Sequence, residues 1–308
     1  MRILITGGAG FIGSHVQDRY VDLGHEVTVL DNFATGRREY LNPRARLVEG
    51  DITDEKLVGE VFERGKFDLV SHLAAQINVR RSFDDPVHDC HVNVIGTLHV
   101  LKAMIDRKVP KIVFASTGGA IYGDPEVLPA DESTPLKPGS PYAVGKLTCE
   151  NYIRNLSDLY GFGYTIFRYA NVYGPRQIAK GEAGVVAIFT ERMLEGKPPV
   201  IFGSGENTRD YVFIADVVEA NAIALGADVS GVFNIGCGVE TNVHEVYDAI
   251  SRAFGSGAVK AQTGPAVPEV GRIALDCGLA QKVLGWRPKF DFKTGVRETV
   301  RSYGAEVG

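Results

Sequence analysis

The fold is decided at the start of the chain, by the stretch Arg2-Ile3-Leu4-Ile5-Thr6-Gly7-Gly8-Ala9-Gly10-Phe11-Ile12-Gly13. Its first five residues predict a short buried strand, and glycines follow at positions 7, 10 and 13. Apolar residues then recur at helical spacing until Gly24 ends the helix. Glycine is needed where a backbone bends sharply or approaches a pyrophosphate, and a helix N-terminus offers that anion free N–H groups.

A second predicted strand, residues 26–30, ends at Asp31. This carboxylate follows the glycines at the spacing expected for an acid that binds the ribose hydroxyls of a dinucleotide. Because a carboxylate repels a 2′-phosphate, NAD is favoured over NADP. Arg37 and Arg38 could in principle reverse that preference, although a solvated loop explains them as well. The whole pattern predicts a dinucleotide-binding domain.

Composition places the chain among ordinary globular proteins, with 308 residues, 44% apolar and 23% charged. A net charge of −5 gives no electrostatic reason to expect nucleic acid or an anionic membrane as a partner. No apolar run approaches the ~18 residues of a membrane span, and the first one stops at Gly7, too early for a signal peptide. The four cysteines are widely separated, so we expect no metal site and a cytoplasmic location.

Strands alternate with helices up to about residue 170, which predicts an α/β fold with a doubly wound parallel sheet of the Rossmann type. We expect an NAD-binding domain over residues 1–171, with return segments near 213–236. Residues 172–308 are expected to form a smaller, mixed α/β lobe that binds the substrate. Ligands of such sheets lie outside the carboxyl ends of the strands, where this chain carries glycine, alanine, hydroxyl, amide and carboxylate groups.

Tyr142 and Lys146 form the candidate catalytic pair, because residues at i and i+4 project from the same face of a helix. An ammonium near a phenol favours the phenolate and lowers its pKa from about 10. A tyrosine of this kind can take a proton from an alcohol near neutral pH.

These features together resemble the extended short-chain dehydrogenase/reductase superfamily and, within it, the nucleotide-sugar epimerases of the UDP-glucose 4-epimerase type. The resemblance covers nearly the whole chain. It depends on the glycine triplet, Asp31-Asn32, Asp51-Ile52, His72-Leu73-Ala74-Ala75, Asn93 with Gly96-Thr97, the segment 116–123, Tyr142 with Lys146, Arg168 to Arg176, and Arg209-Asp210-Tyr211-Val212.

The resemblance implies that Tyr142 removes the proton of the sugar 4-hydroxyl while NAD takes hydride from C4. The 4-keto sugar then turns over and receives hydride on its other face, so NAD is regenerated. Lys146 would hold the nicotinamide ribose and, together with the positive charge of the nicotinamide, lower the tyrosine pKa. The implied NAD contacts are Gly7, Gly10, Phe11, Ile12, Gly13, Asp31, Asn32, Asp51, Ile52, Leu73, Ala74, Ala75, Asn93, Ser116, Tyr142, Lys146 and Tyr169. The implied substrate contacts are Thr117, Gly118, Tyr142, Asn171, Val186, Val200, Phe202, Arg209 and Arg272.

Three departures from the family pattern stand out. The family has a serine or threonine four positions before the tyrosine of its Tyr-Gly pair, whereas this chain has Gly118 at that distance from Tyr122. Thr117 is the preferred substitute, with Ser116 or a water as alternatives. Gly118-Gly119-Ala120 lacks the acids of related dehydratases and decarboxylases, which favours plain epimerisation. Val267 stands where the family has a diphosphate-binding arginine, a role that Arg272 could take over.

Other activities remain open at this point: a 4-epimerase of UDP-N-acetylhexosamine or UDP-uronate, a nucleotide-4-keto-sugar reductase, or a non-catalytic dinucleotide sensor. The family also implies a homodimer formed by the helices near residues 93–107 and 142–160. Leu98, Leu101, Met104 and Ile105 fit that interface, but would equally pack on the sheet.

Overall fold

The structure of the protein is a computed structural model that describes residues 1–179, 184–266 and 271–305. The strands are β1 (Arg2–Thr6), β2 (Glu26–Asp31), β3 (Arg46–Glu49), β4 (Leu69–His72), β5 (Lys111–Thr117), β6 (Gly163–Tyr169), β7 (Asn171–Tyr173), β8 (Val200–Phe202), β9 (Thr208–Arg209), β10 (Tyr211–Phe213), β11 (Gly231–Ile235), β12 (Thr241–Asn242) and β13 (Gln262–Gly264). The α-helices are α1 (Phe11–Asp22), α2 (Glu55–Gly65), α3 (Val79–Asp84), α4 (Pro86–Cys90), α5 (Gly96–Asp106), α6 (Gly118–Ile121), α7 (Pro141–Tyr160), α8 (Val185–Leu194), α9 (Ile214–Gly226), α10 (Val243–Phe254), α11 (Gly278–Leu284) and α12 (Phe292–Ser302).

The chain folds as two compact units, which are described separately. Unit 1 comprises Met1–Thr117, Pro138–Arg168 and Val218–Phe233, and unit 2 comprises Gly118–Lys137, Tyr169–Val217 and Asn234–Gly308. The division into a cofactor domain over residues 1–171 and a substrate lobe over residues 172–308 stays a prediction.

A seven-stranded sheet forms the centre of unit 1, in the order β3-β2-β1-β4-β5-β6-β11. The pairs β2/β3, β1/β2, β1/β4 and β4/β5 are parallel. The chain reverses its direction of winding between β1 and β4, so this is the switch point at which doubly wound sheets bind ligands. The predicted fold class is confirmed.

Helices of unit 1 bury apolar faces against this sheet. On α5, Leu101 and Met104 are fully buried in the core beside Leu4 and Ile112, and Leu98 and Ile105 pack against the same core. The four residues considered for a dimer interface therefore serve packing on the sheet.

The helix expected over residues 93–107 is interrupted at its start. His91–Ile95 form a single π-turn between α4 and α5, in which the Gly96 N–H bonds to the His91 carbonyl. Such turns widen a helix locally and are frequent at functional sites.

Unit 2 contains three short two-stranded sheets and the helices α6, α8, α10, α11 and α12. Its core includes an aromatic cluster in which the Tyr173 ring lies 5.4–6.3 Å from the rings of Tyr211, Phe213 and Phe292. Asp210 is buried and accepts backbone N–H groups from Cys237, Gly238 and Leu275, so it joins three segments of the unit.

No helix in the part of the chain that the structure describes is long and apolar enough to cross a membrane. Within the same residues, no group of three or more His, Cys, Asp or Glu side chains could hold a metal ion.

Candidate active site

The glycine turn between β1 and α1 is a close contact between backbones. Gly7 has φ +71°, and a Cβ at this position would lie 2.7 Å from the Ala74 nitrogen. A Cβ at Gly13 would lie 2.1 Å from the Gly7 carbonyl oxygen. These two glycines are therefore required by the protein's own packing.

Gly10 differs from Gly7 and Gly13 in having room for a side chain. A Cβ there would meet only the Gly7 carbonyl oxygen, at 3.3 Å. Gly10 is the N-cap of α1, and among the described residues no side chain caps this helix and no acid lies in its first turn. The first N–H groups of α1, which begins with Phe11 and Ile12, thus fit an anion, and the small cap fits close approach of a pyrophosphate.

Asp31 lies at the end of β2, next to this turn, with 7% of its surface exposed. Its carboxylate accepts the N–H groups of Ala9 at 2.9 Å and Phe33 at 2.8 Å. Burial raises its pKa, while these two N–H groups oppose the rise. The carboxylate is thereby fixed with its remaining lone pairs available to ribose hydroxyls.

Arg37 and Arg38 each have a carboxylate partner. Arg37 pairs with Glu39 at 3.3 Å, and Arg38 pairs with Glu49 and lies over the Phe33 ring. These contacts support their interpretation as loop side chains, and they agree with a preference for NAD.

Three of the predicted NAD contacts, Asn32, Asp51 and Ile52, follow the ends of β2 and β3. Asn32 donates to the Asp51 carboxylate at 2.6 Å, and Thr53 donates its N–H and hydroxyl to the same group at 2.8 Å. Although burial opposes them, these donors hold the pKa of Asp51 below its usual range. Ile52 is buried, and a Cβ at Gly96 would lie 2.7 Å from its side chain.

The segment after β4, from Leu73 through Ala74 and Ala75, is half-buried and passes beside Gly7. Asn93 is buried beneath it and exchanges two hydrogen bonds with the Gln76 backbone, at 2.8 and 3.0 Å. The structure thus places Asn93 as a support of this segment.

Tyr142 and Lys146 lie in the first turns of α7, which begins at the Ser140 cap and at Pro141. The Lys146 ammonium is 6.0 Å from the centre of the Tyr142 ring and donates to the Ala115 carbonyl at 2.8 Å. Tyr142 is half-buried, and its hydroxyl makes no hydrogen bond to any described residue. The predicted pairing of phenol and ammonium on one helix face is present.

Burial is the main influence on the pKa values of Tyr142 and Lys146. Burial, followed by the negative charge of Asp89, raises the pKa of Tyr142. Burial also lowers the pKa of Lys146, against the attraction of nearby negative groups that include Asp89. Desolvation of the phenolate therefore dominates among the protein groups around Tyr142, and the expected joint effect of Lys146 and the nicotinamide charge stays a prediction.

Ser116 and Thr117, at the end of β5, have different surroundings. The Ser116 hydroxyl is buried and donates to Glu150 at 2.5 Å, and Glu150 also pairs with Arg168 at 2.6 Å. The Thr117 side chain is half-buried and makes no hydrogen bond among the described residues. Of the two hydroxyls, only that of Thr117 is available to a ligand.

In unit 2, Gly118 is buried and begins α6. Tyr169 is 5% exposed, and Asn171 begins β7 with its N–H donated to the Asp210 carbonyl at 2.8 Å. A Cβ at Gly119 would lie 3.0 Å from the Asn171 amide oxygen. The small residues of α6 therefore leave the side chain of Asn171 accessible within this unit.

Arg209 and Arg272 are neighbours in unit 2, because Thr208 bridges to Arg272 and Arg209 donates to the Gly271 carbonyl at 3.5 Å. Arg272 forms two hydrogen bonds with Glu240, at 2.5 and 2.8 Å, next to a cavity of about 530 Å³. Val267 lies outside the described residues.

The three apolar side chains among the predicted substrate contacts, which the family resemblance assigns to the uridine, differ in exposure. Val200 and Phe202 lie on the same face of β8, and a Cβ at Gly264 would be 2.8 Å from both side chains. Phe202 is 51% exposed. Val186 is fully buried within α8, so its side chain is part of the interior of unit 2 rather than its surface.

Three groups near the candidate site were missed in the sequence. Glu150 is one helical turn beyond Lys146, a spacing that could have indicated it. Asp89 is one turn before Asn93; it is 1% exposed and accepts from Gln76 at 2.8 Å and Asn93 at 3.1 Å. Glu240 has no local signal, because its partner Arg272 is distant in sequence.

Comparison with known proteins agrees with this geometry. The profile of the NAD dependent epimerase/dehydratase family matches residues 3–236. A putative UDP-glucose 4-epimerase of Methanocaldococcus jannaschii is 46% identical over 97% of this chain and 97% of the relative.

Two solved structures are similar over almost the whole chain. The UDP-glucose 4-epimerase of Thermotoga maritima with UDP-glucose is 43% identical, with a TM-score of 0.96 and 99% of each chain covered. The Thermus thermophilus UDP-glucose 4-epimerase in complex with NAD is also 43% identical, with a TM-score of 0.94 and the same coverage.

Proposed function

Because the chain belongs to the NAD dependent epimerase/dehydratase family, we propose that it is a UDP-sugar 4-epimerase that interconverts UDP-glucose and UDP-galactose. The proposal is carried by the similarity of nearly the whole chain to proteins named as UDP-glucose 4-epimerases. A role in galactose metabolism follows from this activity.

Residues 118–120 favour epimerisation over the other reactions of the family. Dehydration and decarboxylation need an acid or base beyond C4 of the sugar, whereas this chain has Gly118-Gly119-Ala120 and the start of α6 there. Side chains without a titratable group cannot transfer a proton at C5 or C6. The chain is therefore suited to chemistry at C4 alone.

NAD fits the residues of unit 1. The uncapped start of α1 and the small Gly10 would receive the pyrophosphate, and Asp31 would receive the adenosine ribose hydroxyls. When bound, NAD supplies reversible hydride transfer to and from C4 of the sugar.

Tyr142 is the proposed base, taking the proton of the 4-hydroxyl and returning it after the keto sugar has turned. Because protein groups raise its pKa, a further positive charge is needed to stabilise its phenolate, and the oxidised nicotinamide carries one. Lys146, fixed on the Ala115 carbonyl, would bind the nicotinamide ribose. Proton abstraction would thereby be coupled to the oxidised state of the cofactor.

Thr117 is the proposed hydroxyl between substrate and Tyr142, because the Ser116 hydroxyl is committed to Glu150. Thr117→Val should reduce turnover while Thr117→Ser preserves it. Equal turnover in the valine variant, which removes the hydroxyl, and the serine variant, which keeps it, would remove Thr117 from the mechanism.

The substrate contacts proposed in unit 2 are Asn171 for the sugar, Arg209 and Arg272 for the diphosphate, and Val200 with Phe202 for the uridine. Arg209 and Arg272 lie on adjacent segments, as a shared diphosphate requires. Val186 contributes to this site only through packing of α8.

We also propose a cytoplasmic homodimer. Unit 1 exposes apolar side chains on α3, α4, the π-turn and α7: Phe83 59%, Val87 78%, Ile95 36%, Val144 49% and Tyr152 41%. Exposed apolar clusters favour a protein interface. Sedimentation should show a dimer that Val87→Asp weakens, and a monomeric wild type would contradict it.

The decisive assay incubates the purified protein with UDP-galactose without added cofactor and follows the formation of UDP-glucose. Parallel samples contain UDP-N-acetylgalactosamine or UDP-galacturonate, and preferential turnover of either would reassign the substrate. Tyr142→Phe should reduce turnover by about 10²–10⁴-fold while the protein still retains NAD. Undiminished turnover in this variant would remove Tyr142 as the base.

A further inference from the structure

A chain of buried hydrogen bonds passes through His72 at the end of β4. The ring Nδ1 is 2.6 Å from the Thr6 hydroxyl, and the ring Nε2 is 2.9 Å from the Thr97 hydroxyl. His72, Thr6 and Thr97 are each 2% exposed or less. No step of the proposed mechanism uses these three side chains.

The direction of each hydrogen bond follows from its ends. The Thr97 hydroxyl donates its single proton to the Asn93 carbonyl at 2.6 Å, so it can only accept from His72. His72 must therefore carry its proton on Nε2. In a neutral ring Nδ1 is then an acceptor, and the Thr6 hydroxyl donates to it. The Thr6 oxygen in turn accepts the Ala74 N–H at 3.2 Å.

The surroundings of His72 favour the neutral ring. Its ring centre lies 5.7 Å from that of Phe114, with the rings tilted by 30°, and the Lys146 ammonium lies 4.8 Å from the centre of the Phe114 ring. Burial, and then the charge of Lys146, lower the pKa of His72 to about 3. A single tautomer is therefore expected throughout the physiological range.

Both ends of the hydrogen-bond chain reach the segment that faces the cofactor. The Thr6 end fixes the Ala74 N–H, which lies directly under Gly7 and allows it no side chain. The Thr97 end fixes the Asn93 carbonyl in the π-turn, and the side chain of Asn93 fixes the backbone of Gln76. A change of tautomer would exchange the donor and acceptor roles of the two ring nitrogens, so the hydrogen bonds to Thr6 and Thr97 would be affected together.

We infer that His72, as its neutral Nε2–H tautomer, is a positioning residue for NAD, because it fixes residues 74–76 against the glycine turn through Thr6 and Thr97. This inference deepens the proposed function, but it concerns retention of the cofactor and is independent of which sugar is turned over.

The test uses Thr6→Val against its matched control Thr6→Ser. Valine removes the donor to His72 and the acceptor for Ala74 without changing the side-chain volume much, whereas serine keeps both. NAD affinity, measured by calorimetry on stripped protein, should fall about tenfold or more in Thr6→Val, as expected for loss of a buried hydrogen bond. It should be nearly unchanged in Thr6→Ser. Equal affinity in the two variants would overturn the inference.

A second measurement does not depend on either variant folding. In wild-type protein labelled with ¹⁵N-histidine, His72 should show a protonated Nε2 and an unprotonated Nδ1, constant between about pH 5 and 8. His72→Gln assigns the signal by its disappearance. An Nδ1–H tautomer, or titration near the ordinary histidine pKa, would overturn the inference, even if the protein epimerises UDP-galactose as proposed.

Discussion

In unit 1 the proposed cofactor contacts are made by buried groups whose hydrogen bonds are fixed within the protein, whereas in unit 2 the proposed nucleotide contacts are more exposed. Asp31 and Lys146 are 7% and 4% exposed, while Phe202 is 51% exposed and the Arg272 side chain 67%. The difference is consistent with a cofactor that remains bound through the catalytic cycle and a substrate that must leave after each turnover. Preorganised contacts reduce the entropic cost of binding, and exposed side chains permit exchange.

The largest expected effect is at the buried ion pair between Glu150 on α7 and Arg168 on β6. Glu150→Gln keeps an acceptor for Ser116 but removes the carboxylate charge that pairs with Arg168, and the side chains of Glu150 and Arg168 are 1% and 5% exposed. Removing one partner of a buried pair reduces the free energy of unfolding by about 3–5 kcal/mol. The loss in Glu150→Gln can be measured by urea unfolding.

The matched control is Glu60→Gln, which breaks the exposed pair with Arg64 on α2. An exposed pair should contribute less than about 1 kcal/mol. Similar losses in the two variants would show that burial does not distinguish the ion pairs of unit 1, and the contrast between fixed and exposed contacts would lose its energetic basis.

The next effect separates two glycines of the same turn. Gly13→Ala places a Cβ 2.1 Å from the Gly7 carbonyl oxygen, so the turn must shift and the free energy of unfolding should fall by about 3 kcal/mol. Gly10→Ala meets only one atom at 3.3 Å, so it should fold normally and lose affinity for NAD. Thermal unfolding and NAD titration distinguish these outcomes.

Gly59→Ala provides the reference for adding a methyl group, because a Cβ there meets nothing within 4 Å. As an alanine inside α2 it should stabilise the protein by about 1 kcal/mol. Full NAD affinity in Gly10→Ala would contradict the assignment of Gly10 to the cofactor.

The parts of unit 1 that could be predicted from sequence are those with a local signal. The order β1, glycine turn, α1, β2, Asp31 follows from adjacent residues, and so does the shared helix face of Tyr142 and Lys146. The π-turn at His91–Ile95 has no such signal, because the choice between i+4 and i+5 bonding depends on what packs against the helix. The raised pKa of Tyr142 was missed for the same reason, since burial is a tertiary property.

Less of unit 2 could be predicted, because its contacts join distant segments. Glu240 and Arg272 meet only in the folded chain, and Val186 is buried although the family resemblance implies that it contacts the substrate. The proposed diphosphate site therefore depended on resemblance alone until the structure showed Arg209 and Arg272 on adjacent segments.

A smaller effect should appear in the pH dependence of stability. His72 has a pKa of about 3 in the folded protein against 6.5 as the ordinary value, so the unfolded chain binds one more proton between these limits. Stability should therefore fall as pH decreases below about 6.5, with a contribution from this residue approaching 1.4 kcal/mol per pH unit. Urea unfolding across this range should show a shallower slope in His72→Gln, and identical slopes would contradict a buried neutral ring.

The smallest expected effects are in unit 2, where Arg272, which is proposed to bind the diphosphate, is hydrogen-bonded to Glu240. If Arg272 exchanges Glu240 for the substrate, Arg272→Ala should raise the KM for UDP-galactose by roughly tenfold, as expected for one charge-assisted hydrogen bond. Glu240→Gln should lower the KM, because the arginine is released from a competing carboxylate. Neither change should alter NAD retention or lower the melting temperature by much, since the Arg272 side chain is 67% exposed and solvent weakens its ion pair. A raised KM in both variants would instead show that the ion pair as a whole shapes the site, and the contrast with the fixed contacts of unit 1 would then disappear.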